Sequence, residues 1–307
     1  MLTLLEASKL HAGDVVRSGV IETYARSSEI LRVMPFVNVA GGAYAYNQEA
    51  VLPGVGFRGV NQAWSESTGI INPQVEALRI AGGELDVDKA ILKFHGDDVR
   101  TTHEAMKTKA LALYLGKKMI KGSSLSDPLE FDGLQSRIAG SQLIAAGSTN
   151  GGDPLSLEKL DEGIDAVDGA THLIMSTAMR RKISKAARAG LGGDITISKN
   201  EFGFDVTAYN GKPILEVEYD EAGARILDFD EVGSTGSTAT ATSIYVVSLG
   251  ADKLFGLQNG VMEVQDLGEL ESKPAFRTRI DWYVGMAAVH PRCAARIYGI
   301  SNAAVTA

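Results

Sequence analysis

The stretch from Phe36 to Asp88 constrains this chain most, because it holds apolar residues but no means of burying them. Two extended arms, FVNVAGGAYAYNQEAV and NPQVEALRIAGGELDVD, flank the tip LPGVGFRGVNQAWSESTGI. The tip sets Leu52, Val55, Phe57, Val60, Trp64 and Ile70 among glycines, with no helix to pack on. A long loop without its own core is usually functional or disordered. This one is too aromatic and β-branched for disorder. An apolar loop that cannot bury itself is expected to bury against another copy of the molecule. The expected inter-subunit contacts are Leu52, Pro53, Val55, Phe57, Arg58, Val60 and Trp64. At roughly 3.3 Å per residue, an arm of about 15 residues reaches some ~50 Å.

Composition narrows the classes. The 307 residues are 45% hydrophobic and 22% charged, an ordinary globular balance with room for a large core. One cysteine, Cys293, forbids an intrachain disulfide and a multi-cysteine metal site. The net charge of −8 argues against nucleic acid as the main ligand, since phosphate binding needs a basic face. The start MLTLLEASKLHAGD does not read as a secretory signal, and no apolar run approaches a membrane span of roughly 20 residues.

Periodicity gives the element order. A short helix is expected from Gly13-Asp14, with Asp14 as N-cap and Val16, Val20 and Tyr24 on one face. The strongest helix signal is Asp97–Lys121. Acids stand at its start and Lys117, Lys118 and Lys121 at its end, as the helix dipole favours. Val99, Met106, Ala110, Leu113 and Ile120 are its expected apolar stripe, and Gly122 its stop. Helix, strand, helix follow over 155–189. Short strands are expected at DITIS, FDVTAY, PILEVEY, ARILDF and SIYVVSL, with GSTGSTATATS as a mobile surface connector. The closing strands are VMEVQDL, FRTRIDWYVGMAAV and AARIYGI. This is an α+β order, not alternating βαβ.

The search for chemistry yields no site. Gly54-Val55-Gly56-Phe57-Arg58-Gly59 matches G-x-G-x-x-G, but a dinucleotide site must leave a strand and open a helix, and polar turn formers follow here. The match reads as a tight turn. His103-Glu104 lacks the second histidine of a zinc motif, because position 107 is Lys. Gly147 to Gly151 is a turn and not a nucleophile elbow, and Cys293 reads as a buried, inert thiol. Arg180, Arg181, Lys182, Lys185 and Arg188 form a basic run, either a DNA-facing or partner-facing helix or a solvated face. No catalytic, cofactor-binding or metal-binding residue is assigned, and an enzyme is not expected.

The order of parts resembles one family, the major capsid proteins of tailed bacteriophages, with the Hong Kong ninety-seven-like fold shared with encapsulins. The quoted stretches are the helix Asp97–Lys121, the break KGSSLSDPLEFDGLQSRI with its Asp132-Gly133-Leu134 step, the helix–strand–helix Leu155–Arg188, Gly211-Lys212-Pro213-Ile214, and AAVHPRCAARIYGI within the closing strands Val261–Ile300. The resemblance implies an N-terminal arm over 1–35 and an extended β-hairpin loop over 36–88. It implies a peripheral domain over 89–154 and 244–307, with a spine helix at 97–121, and an axial α/β domain over 155–243.

It also implies the function: a structural protein assembling through pentamers and hexamers into an icosahedral phage head. The implied head encloses double-stranded DNA without sequence-specific binding, and is built in the bacterial cytoplasm into a virion. Implied partners are other copies of itself, with separate scaffolding, portal and decoration proteins. Some members crosslink through a lysine of the extended loop, but this chain has no lysine between Arg32 and Lys89, so a shell without covalent crosslinks is expected. An encapsulin-type compartment, a nucleotide-binding cytoplasmic enzyme using the glycine-rich loop, and a tail or connector ring stand as alternatives.

Overall fold

The computed structural model describes residues 28–95, 98–190, 195–199 and 205–306. The helix expected from Gly13-Asp14, with Val16, Val20 and Tyr24, lies outside the described residues, as does Asp97. The chain begins with α1 (Glu29–Val33), β1 (Phe36–Asn38), β2 (Ala43–Val51), β3 (Ile70–Ala77) and β4 (Arg79–Asp88). Next come α2 (Lys89–His95), α3 (Asp98–Lys121), α4 (Leu134–Arg137) and β5 (Leu143–Ala145). Then follow α5 (Leu157–Ala166), β6 (His172–Met175), α6 (Thr177–Arg188), β7 (Ile195–Lys199), β8 (Asp205–Tyr209) and β9 (Lys212–Glu216). The last elements are β10 (Glu231–Val232), β11 (Ala239–Val247), β12 (Leu254–Gln258), β13 (Glu263–Glu269), β14 (Ala275–Ala288) and β15 (Ala294–Ser301). This is the expected α+β mixture.

Two large sheets carry the fold. The eight-stranded sheet runs β5-β15-β11-β6-β9-β8-β7, with β10 beside β11. Its central strands are apolar on both faces, and the two faces belong to different cores. On β11, Ile244 and Val246 face the core under α5 and α6, while Tyr245 and Val247 face the core around α3. On β6, Leu173 and Met175 divide from Ile174 in the same way. Strict alternation across a sheet covered on both sides explains why SIYVVSL reads as an unbroken apolar run.

The five-stranded sheet is built on β14, which pairs with β4 along Ala275–Val284, with β13 along Phe276–Asp281 and with β12 along Val284–Ala288. Alternate residues Thr278, Ile280, Trp282 and Val284 point into the core. Phe36 lies 5.2 Å from Trp282, ring centre to ring centre, over Gly256. A Cβ on Gly256 would stand 2.4 Å from the Phe36 ring, so only glycine admits this packing.

The helix α3 has 24 residues, about 36 Å at 1.5 Å each. Its buried face is Thr108, Leu111, Ala112, Leu115, Met119 and Ile120; of the expected stripe only Ile120 is buried, and Met106 is 61% exposed. The expected residues 99, 106, 113 and 120 repeat every seven, and a seven-residue repeat drifts around a straight helix by ~20° per heptad. Besides Leu111, Leu115, Met119 and Ile120, that face takes in Ala112 and Thr108. The Thr108 hydroxyl donates to the Glu104 carbonyl at 2.8 Å and so can be buried. Gly122 stops the helix as expected, and Asp132 braces the following turn by accepting from the Ser124 N–H at 2.7 Å.

Three other expectations change. The stretch ARILDF is not a strand. The Asp220 carboxylate accepts from the N–H groups of Ala222 (3.0 Å) and Ala224 (2.8 Å) and from Lys117 Nζ (2.8 Å), folding the segment into turns that bury Ile226 and Leu227. The connector GSTGSTATATS is not a free loop, because its second half opens β11 and its first half is bonded to the turn at 147–151. Of the closing strands, β13 and β14 join the five-stranded sheet, but β15 pairs with β11 and β5 in the other. On β15, Arg296 donates to Glu231 Oε2 at 2.8 Å and to Ser243 Oγ at 3.0 Å, polar contacts that local sequence does not announce.

One half-buried base reports on folding. Burial pushes the His172 imidazole from 6.5 down to about 4. Between those pH values the unfolded chain takes up a proton that the folded chain refuses, so stability falls as pH drops from 6.5 towards 4. Urea midpoints across this window should fall for the wild type and flatten in His172→Gln; equal slopes would refute the assignment.

Candidate assembly surface

The strands β2 and β3 form a separate two-stranded sheet, paired from Ala43↔Ala77 to Val51↔Ile70. The projecting ladder is shorter than expected. Its nine-residue arm spans roughly 30 Å, because β1 and β4 leave the arms to pair with β12 and β14.

Every residue from 51 to 75 is exposed. Val55, Phe57 and Val60 are 97%, 108% and 93% exposed, and Leu52 and Trp64 are 73% and 63%. Ile70, Ile71 and Val75 extend the exposed apolar surface along β3. The structure therefore brings the seven expected contact residues together on one exposed tip. The tip holds its shape with polar brackets. The Gly54 N–H donates to Ser67 Oγ at 2.8 Å, Arg58 Nη1 donates to the Gln62 carbonyl at 3.0 Å, and the Arg58 guanidinium sits 5.6 Å from the Trp64 ring centre. Asn61 turns the chain with φ of 65°. The tip is therefore shaped by its own polar contacts while its apolar side chains face solvent.

The root of the hairpin is fixed by residues that local sequence reading does not single out. Glu76 receives a two-pronged contact from Arg137, whose Nη2 stands 2.8 Å from Oε2. The same guanidinium donates to the Met286 carbonyl at 3.0 Å and the Asp132 carbonyl at 2.7 Å. Burial opposes the Arg137 charge, but the Glu76 carboxylate overrides it and the net shift is upward. Tyr46 Oη donates to the Ala288 carbonyl at 3.1 Å, and Tyr44 meets Phe255 edge-on at 5.8 Å. The alternation of Tyr44 and Tyr46 marks the inward side of β2, but nothing near position 137 points to residue 76.

The other motifs carry no chemistry. No helix opens after Gly59, so the glycine-rich loop lacks the N-terminus a pyrophosphate needs. Cys293 is buried and its thiol is pushed up to about 11 by desolvation, so it is not a thiolate at neutral pH. Among the described residues no cluster of His, Cys, Asp or Glu could hold a metal, and no helix is long and apolar enough to cross a membrane.

No protein-family model matches the chain, and no curated protein does. Solved structures do. The holo-SrpI encapsulin complex from Synechococcus elongatus is 16% identical with a TM-score of 0.63, over 91% of this chain and 89% of that one. The capsid of a native GTA particle is 15% identical with a TM-score of 0.62, over 91% of each chain. Microbacterium phage Oxtober96 is 13% identical with a TM-score of 0.60, over 88% of this chain and 90% of that one. The chain therefore has the Hong Kong ninety-seven-like fold, the tailed-phage major capsid fold shared with encapsulins.

Proposed function

We propose that this chain is the major capsid protein of a tailed phage, assembling through pentamers and hexamers into an icosahedral head around double-stranded DNA. The observation that carries the reading is the hairpin tip, where the seven expected contact residues are exposed on a turn shaped by polar brackets. In a shell the tip lies on a neighbouring subunit, and many weak heterologous contacts close by symmetry. The layer of α3 with the five-stranded sheet serves as the peripheral unit. The eight-stranded sheet with α5 and α6 serves as the axial unit, taking in β5, β11 and β15 beyond the 155–243 boundary. An acidic chain encloses a polyanion without gripping it. Portal, scaffolding and decoration proteins would complete the particle.

Negative-stain electron microscopy with sedimentation tests this. Closed shells or rings of five and six subunits are expected, whereas a monodisperse dimer or tetramer across salt and concentration would overturn it. The similarity to an encapsulin complex supports a second reading, a protein compartment, distinguished by enclosed protein in place of DNA in particles purified from the native source. In either case no lysine lies between Arg32 and Lys89. Assembled particles boiled in detergent should run as a single 32.5 kDa band, and a ladder of multiples would refute non-covalent closure.

A further inference from the structure

Two helices of the eight-stranded sheet carry opposite charge. Both pack on one face of it, since Leu160 of α5 and Met179 and Ile183 of α6 share a core. Their outer residues are segregated. On α6, Arg181, Lys185 and Arg188 are exposed and have no ion-pair partner among the described residues. Arg180 is occupied by Glu216 at 2.7 Å, Lys182 lies 4.6 Å over the Phe229 ring, and the helix contains no acid. On α5, Glu158, Asp161, Glu162 and Asp165 are exposed, and only Glu162 has a cation, Lys159 at 2.5 Å. Asp161 accepts from the Tyr209 hydroxyl at 2.9 Å and has no ion-pair partner among the described residues.

The three remaining acids fall at i, i+3 and i+7, and the three free cations at i, i+4 and i+7. Each set spans about 10 Å of helix. Among the described residues no ion pair joins α5 to α6 within the chain. Glu158 in the first turn of α5 and Lys185 and Arg188 in the last turn of α6 suit their own helix dipoles, but Arg181 near the start of α6 and Asp165 near the end of α5 do not, so the dipoles alone do not account for the segregation. It suits a repeated head-to-tail contact in which both sets are used by every copy.

We propose that the basic face of α6 docks on the acidic face of α5 of a second copy of this chain, as a heterologous contact within a ring of subunits. This rests on the shell reading above. The contact is exposed and charged, so it sets register and assembly rate more than subunit stability, and salt weakens it over a screening length of about 8 Å at physiological strength.

A charge-swap mixture tests it. One variant carries Lys185→Glu and Arg188→Glu, and the other carries Glu158→Lys and Asp165→Lys. Each alone should lose assembly by about tenfold or more in critical concentration, through like charges facing across the ring. Mixed in equal amounts, the two should co-assemble into six-membered rings, where they can alternate, and fail in five-membered rings, where they cannot. Rescue by mixing also shows that both variants fold. If wild type assembles and the mixture does not, the inference falls alone. If wild type forms no ring or shell, the shell reading falls with it. If the α6 variant assembles normally and only loses bound nucleic acid, the basic face serves a polyanion and the inference is overturned.

Discussion

Trp64→Ala and Phe57→Ala should leave the subunit folded and abolish shell formation. Phe57 is fully exposed, and Trp64, 63% exposed, has only the Arg58 guanidinium over its ring, so neither truncation removes core packing. Surface substitutions of this kind stay within about 0.5 kcal/mol of wild-type stability. At an interface the same truncation removes an aromatic anchor worth about 2 kcal/mol or more. That is roughly a thirty-fold weakening of each contact, repeated at every subunit of the shell. Urea denaturation of the monomer and sedimentation of the assembly separate the two effects. A large drop in the urea midpoint would mean that the tip folds back on its own body, and the assembly surface would have to be sought elsewhere.

Arg137→Met should produce the opposite pattern, a subunit that is itself unstable. The Arg137 and Glu76 side chains are only 14% and 20% exposed, and the guanidinium also serves two backbone carbonyls. Removing it strands a largely buried carboxylate, a loss of about 3–5 kcal/mol. The double variant Arg137→Met with Glu76→Gln should recover much of that, because it strands no charge. A single-variant loss below about 1 kcal/mol would show that water already screens the pair.

These two sites mark what the sequence made legible. The tip was readable because its apolar side chains sit in a segment that contains no complementary surface; exposure follows from local composition. The long helix was readable along its described length to its end at Lys121, since charge at both ends and the glycine stop are local signals. Its buried face was not, because Thr108 and Ala112 are buried by what lies opposite them rather than by their own hydrophobicity. The same limit hid the Glu76–Arg137 contact, which joins residues 61 apart, and the placement of β15 in the second sheet. The turn made by Asp220 defeated a strand pattern that ARILDF carries by composition alone. Pairing partners chosen across the fold leave no mark on the segments that pair.

The junction between hairpin and body also has a mechanical meaning. Only Leu78 separates β3 from β4, and β4 is matched to β14 over ten consecutive residue pairs from Arg79↔Val284 to Asp88↔Ala275. Ladder hydrogen bonds lie across the strands, so a pull along β4 loads them sideways and all together rather than one after another. A tip held by a neighbour would therefore pass tension into a ladder that resists by shear, and a shell strained from within would carry hoop stress through its strand registers before any single bond had to open.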